Sequence, residues 1–238
     1  MVHEVNIAYV AAQIGHPTRA AMLDHLLSVP DCQAGELARI ASVSRSVASQ
    51  HLRLLEHAGL IAATSIGRER WYRLSSSDVA ETLESLARIA PAQPIRSLRQ
   101  SIKTSALCTA RTCYDHLAGR VGVGLTEALL RKGLLKTQPH DGTWTISEDG
   151  VIWLQSGGID LRELRQSRRP LIRPCMDWSE RRPHIAGSLG KALLTRLMEY
   201  QWVIRISGQR ALRINSTVSI NSAWDLILAQ VFATSAHE

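Results

Sequence analysis

SVSRSVASQHLRLLEHAGLI, residues 42–61, carries the period of a helix rather than of a strand. At 100° per residue Ala48, Leu52 and Leu55 fall on one face, four and three residues apart, as a core-facing stripe requires. Arg45, Ser46, Ser49, Gln50 and Arg53 fall on the other. Ser44 is placed to cap the helix start, and Ala58-Gly59-Leu60 to end it. Just upstream, Gly35–Ala41 reads as a short helix and Ser42-Val43-Ser44 as a turn, which gives the order helix, turn, helix. A second helix with short polar and guanidinium groups near its N-terminus suits the major groove of DNA, though any solvated helix face would show the same polarity.

The following residues separate these readings. Ile61–Ile66 and Arg70–Leu74 are strand-like runs joined by Gly67-Arg68-Glu69, a hairpin with a basic tip. Taken together, VSRSVASQHLRLLEHAGLI and GRERWYRL resemble the winged helix-turn-helix of ArsR-type bacterial repressors. The matching residues are Ser49, His51, Leu52, Leu55, Ala58, Gly59 and Leu60 in the helix, and Gly67, Arg68, Arg70, Tyr72 and Leu74 in the wing. The resemblance implies a double-stranded DNA operator as partner, read by Ser44, Arg45, Ser46, Ser49, Gln50 and Arg53 with Arg68 and Arg70 of the wing. It also implies repression, and a homodimer built from the first helix and the helix after the wing.

Two helical segments precede the motif, 4–14 and 18–28, divided at His16-Pro17. After the wing a helix starts at Ser77-Asp78, with Asp78 and Glu81 at capping-box spacing and an apolar stripe of Val79, Leu83, Leu86 and Ala90. The metal sites of the family do not carry over. Glu36-Leu37-Ala38-Arg39-Ile40 stands where metal sensors have a Cys-rich stretch, and SSSDVAETLESLARIA holds no His for the site on the helix after the wing.

The composition agrees with a polyanionic partner: 28 Lys plus Arg against 21 Asp plus Glu give a net charge of +7 over 238 residues. Apolar runs fall short of the roughly 18 residues of a membrane helix, and the N-terminus lacks the order of a secretory signal. A soluble, cytoplasmic protein with no membrane partner is expected. Cys32, Cys108, Cys113 and Cys175 form no CxxC pair and are expected to be thiols.

Pro91-Ala92-Gln93-Pro94 interrupts the helical pattern. The expected organisation is a DNA-binding and dimerisation domain over 1–90, a linker over 91–95, and an effector or sensor domain over 96–238. The latter contains a duplication. HLAGRVGVGLTEALLRKGLL from His116 aligns with HIAGSLGKALLTRLMEYQWV from His184, pairing Ala118 with Ala186, Gly119 with Gly187, Gly122 with Gly190 and Leu125 with Leu193. Each copy is followed by a strand, within Thr143–Ser147 and Arg210–Asn215. Two degenerate winged-helix-like repeats are expected, about 113–165 and 175–232, making the chain mainly α with small β-wings, an α+β fold.

Before each copy stands a Cys-x-Asp: Cys113-Tyr114-Asp115-His116, and Cys175-Met176-Asp177-Trp178 leading to His184. Cys113, Asp115, His116, Cys175, Asp177, Trp178 and His184 are candidates for an effector, redox or metal site. The same residues equally suit an ordinary interior of small thiols, caps and hydrogen-bonded imidazoles, or the wall of a small-molecule pocket. CYDHLAG and CMDWSERRPHIAG resemble an extended subgroup of ArsR-like regulators, which implies a shared domain and no particular ligand or cofactor. Trp144, Trp153, Trp178, Trp202 and Trp224 all lie in this half, as core or as a pocket for a planar molecule. The basic run Arg162–Arg182 reads as a solvated face paired with Glu163, Asp177 and Glu180 rather than as an anion site.

No P-loop, dinucleotide fingerprint, GxSxG or HExxH occurs, and Cys113 with His116 lacks a third catalytic member. The chain therefore reads as a non-enzyme, a homodimeric DNA-binding regulator with a C-terminal input domain that takes a small-molecule effector, metal or oxidant. An enzymatic or ligand-modifying C-terminal domain fused to the DNA-binding module is the rival.

Overall fold

The computed structural model describes residues 5–91, 94–206, 209–215, 217–218 and 223–235. The chain divides into two compact units, Met1–Ala87 and Arg88–Glu238. The division falls in the last turn of the helix after the wing, a few residues before the expected proline linker; Ala92 and Gln93 of that linker lie outside the described residues.

The first unit runs α1 (Ile7–Ile14), α2 (Pro17–Leu26), β1 (Cys32–Gln33), α3 (Ala34–Ile40), α4 (Arg45–His57), β2 (Ile61–Ile66), β3 (Glu69–Leu74) and α5 (Ser77–Ile89). Pro17 opens α2, where its missing N–H costs nothing, and His16 Nδ1 accepts from Thr18 N. Ser44 caps α4 by accepting from Val47 N, and Gly59 leaves the helix at φ 69°. Ala48, Leu52 and Leu55 of α4 are buried, as are Met22, Leu23, Leu26 and Leu37 of α2 and α3, and α4 packs on both of these helices. Two details depart from the sequence reading. Cys32 and Gln33 pair with Tyr72 and Trp71 to add a third strand, too short to show any periodicity. Ser76, not Asp78, supplies the side-chain acceptor at the start of α5, through Val79 N.

The second unit opens with α6 (Leu98–Thr109), a helix not anticipated, capped by Ser97. The first repeat follows as β4 (Arg111–Cys113), β5 (His116–Ala118), α7 (Gly119–Arg131), β6 (Leu135–Thr137), β7 (Trp144–Ile146) and α8 (Glu148–Ser156), with α9 (Leu161–Arg165) after it. The second comprises β8 (Arg173–Met176), β9 (Pro183–Ala186), α10 (Gly187–Glu199), β10 (Val203–Arg205), β11 (Leu212–Ile214) and α11 (Ala223–Ser235). Each repeat is hairpin, helix, hairpin, helix. The helix followed by a two-stranded wing is as expected; the hairpin at the head of each repeat is additional.

The two repeats are packed reciprocally. Helix α10 of the second lies on β5 of the first, and α7 of the first lies on β9 of the second. Thr126 Oγ1 on α7 accepts from Ile185 N on β9 at 3.1 Å, and Leu212 N on β11 donates to Ala110 O beside β4 at 2.9 Å. Within each repeat the helix also sits close on the strand that leads into it, and Gly122 and Gly190 permit this: a Cβ on either would lie 2.6 or 2.5 Å from the backbone carbonyl oxygen of Leu117 or Ile185. Trp144, Trp153, Trp202 and Trp224 belong to the shared apolar core, with Trp153 and Trp224 stacked at 4.4 Å. They serve as core.

Candidate functional site

Among the described residues two sets stand out. The first is the outer face of α4 and the wing. Ser44, Arg45, Ser46, Ser49, Gln50 and Arg53 are all exposed, as the helical period requires once Ala48, Leu52 and Leu55 are inside. Ser44 Oγ and Ser46 Oγ lie 3.0 Å apart, and Arg53 Nε donates to Ser49 O. At the hairpin turn Gly67 takes φ 62°, and Arg68 is exposed beside it. Arg70, on β3, is not a free wing cation: its Nη2 reaches both carboxylate oxygens of Glu56 at 2.8 Å, and its guanidinium lies 5.6 Å from the Tyr72 ring centre. It ties the wing to α4.

The second set is in the head hairpins of the repeats. Cys113 and His116 face each other across β4 and β5, and Cys175 and His184 across β8 and β9. Directly opposed residues share a face of a hairpin, so each hairpin presents one thiol and one imidazole side by side. The first closes in two residues, with Tyr114 at φ 60°. The second has a longer turn, so thiols 62 residues apart and imidazoles 68 residues apart occupy equivalent places. All four are buried, with donor atoms within 4.8 Å of one another. Sγ of Cys113 and Cys175 are 3.9 Å apart, and Nε2 of His116 and His184 are 3.1 Å apart.

Behind each imidazole is a carboxylate. Asp115 Oδ1 lies 3.4 Å from Nδ1 of His116, and Asp177 Oδ2 lies 3.3 Å from Nδ1 of His184. Each carboxylate is in turn held by an arginine distant in the chain. Arg169 pairs with Asp115, while Arg111 Nη2 donates to Asp177 Oδ1 at 2.9 Å. Asp177 also accepts from Gly119 N at 2.7 Å and from the N–H and hydroxyl of Ser179. Trp178, a candidate by sequence, does not join the four donors; Arg111 stacks over its indole at 4.4 Å.

The electrostatics follow from burial and these partners. Burial opposes ionisation of Asp115, yet the hydrogen bonds from His116 and Arg169 prevail and bring it down to about 2. Asp177 is likewise lowered against the effect of burial by His184, Arg111, the Gly119 N–H and Ser179. His116 is raised, because Asp115 and Cys175 outweigh the desolvation that disfavours its charge. The Cys113 thiol, as hydrogen-bond donor, and the two histidines hold Cys175 below its ordinary value, while Cys113 itself is raised.

Arg111, Arg169, Ser179 and Gly119 were missed in the sequence. Arg111 could have been found: shifting the chain by 62 residues superposes Arg111 on Arg173 as well as Cys113 on Cys175 and Asp115 on Asp177. The basic run is a charged face, and of its expected partners Glu180 pairs with it, alongside carboxylates that were not expected. Arg162 pairs with Asp160, Arg169 with Asp115, and Arg182 with Glu127 and Glu180.

Elsewhere, His25, Cys32 and Glu36 also group within reach of one ion. There, burial followed by a hydrogen bond to Glu36 pushes the Cys32 thiol up to about 12. A surface groove of about 390 Å³ includes Asp160, Glu163, Lys191, Arg196 and Glu199 in its lining and is separate from the Cys/His cluster.

Residues 14–63 match a family model described as a helix-turn-helix domain. The HTH-type transcriptional regulator YdfF of Bacillus subtilis (strain 168) is 41% identical over 215 residues, 90% of this chain and 94% of that protein. The HTH-type transcriptional regulator CmtR of Mycobacterium bovis is 34% identical over 88 residues, 37% of this chain and 74% of that one. A solved structure of the cadmium metal-sensor CMTR from Mycobacterium tuberculosis matches 39% of this chain and 100% of its own at 33% identity, with a TM-score of 0.31. The match to YdfF, at 90% of this chain, takes in both units. The chain belongs to the ArsR-type helix-turn-helix transcriptional regulators, in an extended form that adds a duplicated C-terminal domain to the DNA-binding module.

Proposed function

We propose that the chain is a homodimeric, sequence-specific repressor that reads a two-fold operator through α4 and the wing and takes its signal in the C-terminal unit. The observation that carries the DNA reading is the outer face of α4, where six polar or basic residues stand exposed around a helix anchored by Ala48, Leu52 and Leu55. Short side chains near the N-terminus of such a helix reach base edges, and Arg45 and Arg53 offer forked donors to guanine or phosphate. The dimer is supported by α1, IAYVAAQI, which buries none of its residues within the chain and leaves Ile7 75% exposed. On α5, Leu86 and Ile89 are also exposed. A partner subunit covering these helices would present two recognition helices to one DNA duplex.

An input domain acts on such a switch only by stabilising the DNA-competent and incompetent dimers unequally. The Cys/His cluster favours an input or structural role over an enzymatic one, since all four side chains are buried. The test is binding to the chain's own promoter DNA in competition with unrelated duplex. Arg45→Ala and Arg53→Ala should each weaken specific binding by on the order of 1–3 kcal/mol without loss of helicity. Equal affinity for both duplexes, or unchanged affinity in both variants, would reject the reading.

A further inference from the structure

We propose that Cys113, His116, Cys175 and His184 form a tetrahedral zinc(II) site that fastens the two repeats of the C-terminal unit to each other. Zinc takes four such ligands at about 2.3 Å from sulfur and about 2.0–2.1 Å from nitrogen. A regular tetrahedron of those lengths separates two sulfurs by about 3.8 Å and two nitrogens by about 3.3 Å. The observed separations are 3.9 Å and 3.1 Å.

The imidazoles give an independent argument. Asp115 and Asp177 stand at Nδ1 of His116 and His184, where a carboxylate favours the Nδ1–H tautomer. When both rings are neutral with the protons there, as ligands must be, both Nε2 atoms carry lone pairs, and these face each other at 3.1 Å in a buried place. Two lone pairs at that distance repel; a cation between them turns both into ligands. The arrangement of carboxylate, imidazole and metal is the usual one for a metal-bound histidine, whose outer N–H must be held.

Charge balance selects a divalent ion. Zinc(II) with two thiolates and two neutral imidazoles sums to zero, while Asp115 is offset by Arg169 and Asp177 by Arg111. A monovalent ion would leave one uncompensated buried negative charge. Four protein ligands with no open position mark a structural rather than a catalytic site. Binding releases two protons to solvent in either starting form: from both thiols, or from one thiol and one imidazolium where the other sulfur is already a thiolate. Each repeat contributes one Cys and one His, so the ion bridges the repeats rather than closing a finger within one. Nothing in the site depends on the DNA-binding face, and its failure would leave the regulator reading intact.

The experiment uses the full-length chain, reduced and stripped with a chelator, then titrated with zinc(II) and, separately, cobalt(II). One ion per chain is expected, with the intense visible bands of four-coordinate cobalt and a near-ultraviolet thiolate charge-transfer band. X-ray absorption on the zinc form should show two sulfur and two nitrogen neighbours, a measurement on the unaltered chain that needs no variant to fold. Cys113→Ser and Cys175→Ser should each diminish the charge-transfer band, and Asp115→Asn should weaken zinc binding by about 10–100-fold. Absence of stoichiometric uptake, or a shell without two sulfurs, would overturn the site. So would a spectrum unchanged in the chain lacking both Cys113 and Cys175, which would move the metal to other donors such as His25, Cys32 and Glu36, or a Cys113–Cys175 disulfide in protein purified without air.

Discussion

Arg111 is the side chain whose replacement should cost most. It is wholly buried, pairs with the equally buried Asp177 and stacks on Trp178. Arg111→Met removes the partner and leaves an interior carboxylate uncompensated, so a loss of about 3–5 kcal/mol is expected in denaturant unfolding. A loss below about 1 kcal/mol would mean that Gly119, Ser179 and His184 satisfy Asp177 by themselves. A second outcome concerns the thiols. Cys32 is held protonated up to about 12, whereas Cys108 is partly exposed, so an alkylating reagent at mildly alkaline pH should label Cys108 at least about a hundredfold faster in the native chain. Mass spectrometry of the peptides would show it. At this scale the sequence is legible where exposure follows from a local period, as for Arg45, Ser49 and Arg53. It is not legible where a partner lies far along the chain. The ion pair of Arg70 is such a case, because Glu56, on another element, gives no local sign of pairing with it.

The helices α7 and α10 show what a repeat demands of one position. A methyl group at Gly122 or Gly190 would sit against a carbonyl oxygen of the preceding strand, and backbone cannot turn aside as a side chain can. Gly122→Ala and Gly190→Ala should each destabilise the C-terminal unit by at least about 1–3 kcal/mol, read as a lowered melting temperature with the N-terminal unit unaffected. In the wing, Arg68 and Arg70 should separate. Arg68→Ala should flatten the salt dependence of DNA affinity by roughly one unit of slope, and Arg70→Ala by less, because its guanidinium is already engaged by Glu56. Equal slopes for the two variants would show that Arg70 leaves Glu56 to reach phosphate. Elements with a strong period or a cap were readable in advance: α4, the wing hairpin, α7 and α10. The head hairpins were not, since β4 and β5 have three residues each and no alternation can be counted over so few. The same brevity hid the cluster, whose members become neighbours only through cross-strand pairing.

For the whole molecule, the uncovered face of α1 sets the expectation. Ile7→Asp should shift the chain from dimer to monomer in sedimentation and weaken operator binding with it, while leaving the fold intact because Ile7 is 75% exposed. A variant that remains dimeric would place the dimer contact elsewhere. The reciprocal packing of the repeats has a consequence for how the chain reaches its native state. Helix α7 buries its face on a strand of the later repeat, and α10 on a strand of the earlier one, so neither half can complete its interior before the other has emerged. The thiols that meet are 62 residues apart and the imidazoles 68, and every such encounter requires closure of a long loop before any reward is gained. The C-terminal unit should accordingly fold late and in one step, with amides of β5 and β9 becoming protected from hydrogen exchange together. A nascent chain released after the first repeat would expose the face of α7 to whatever apolar surface it met.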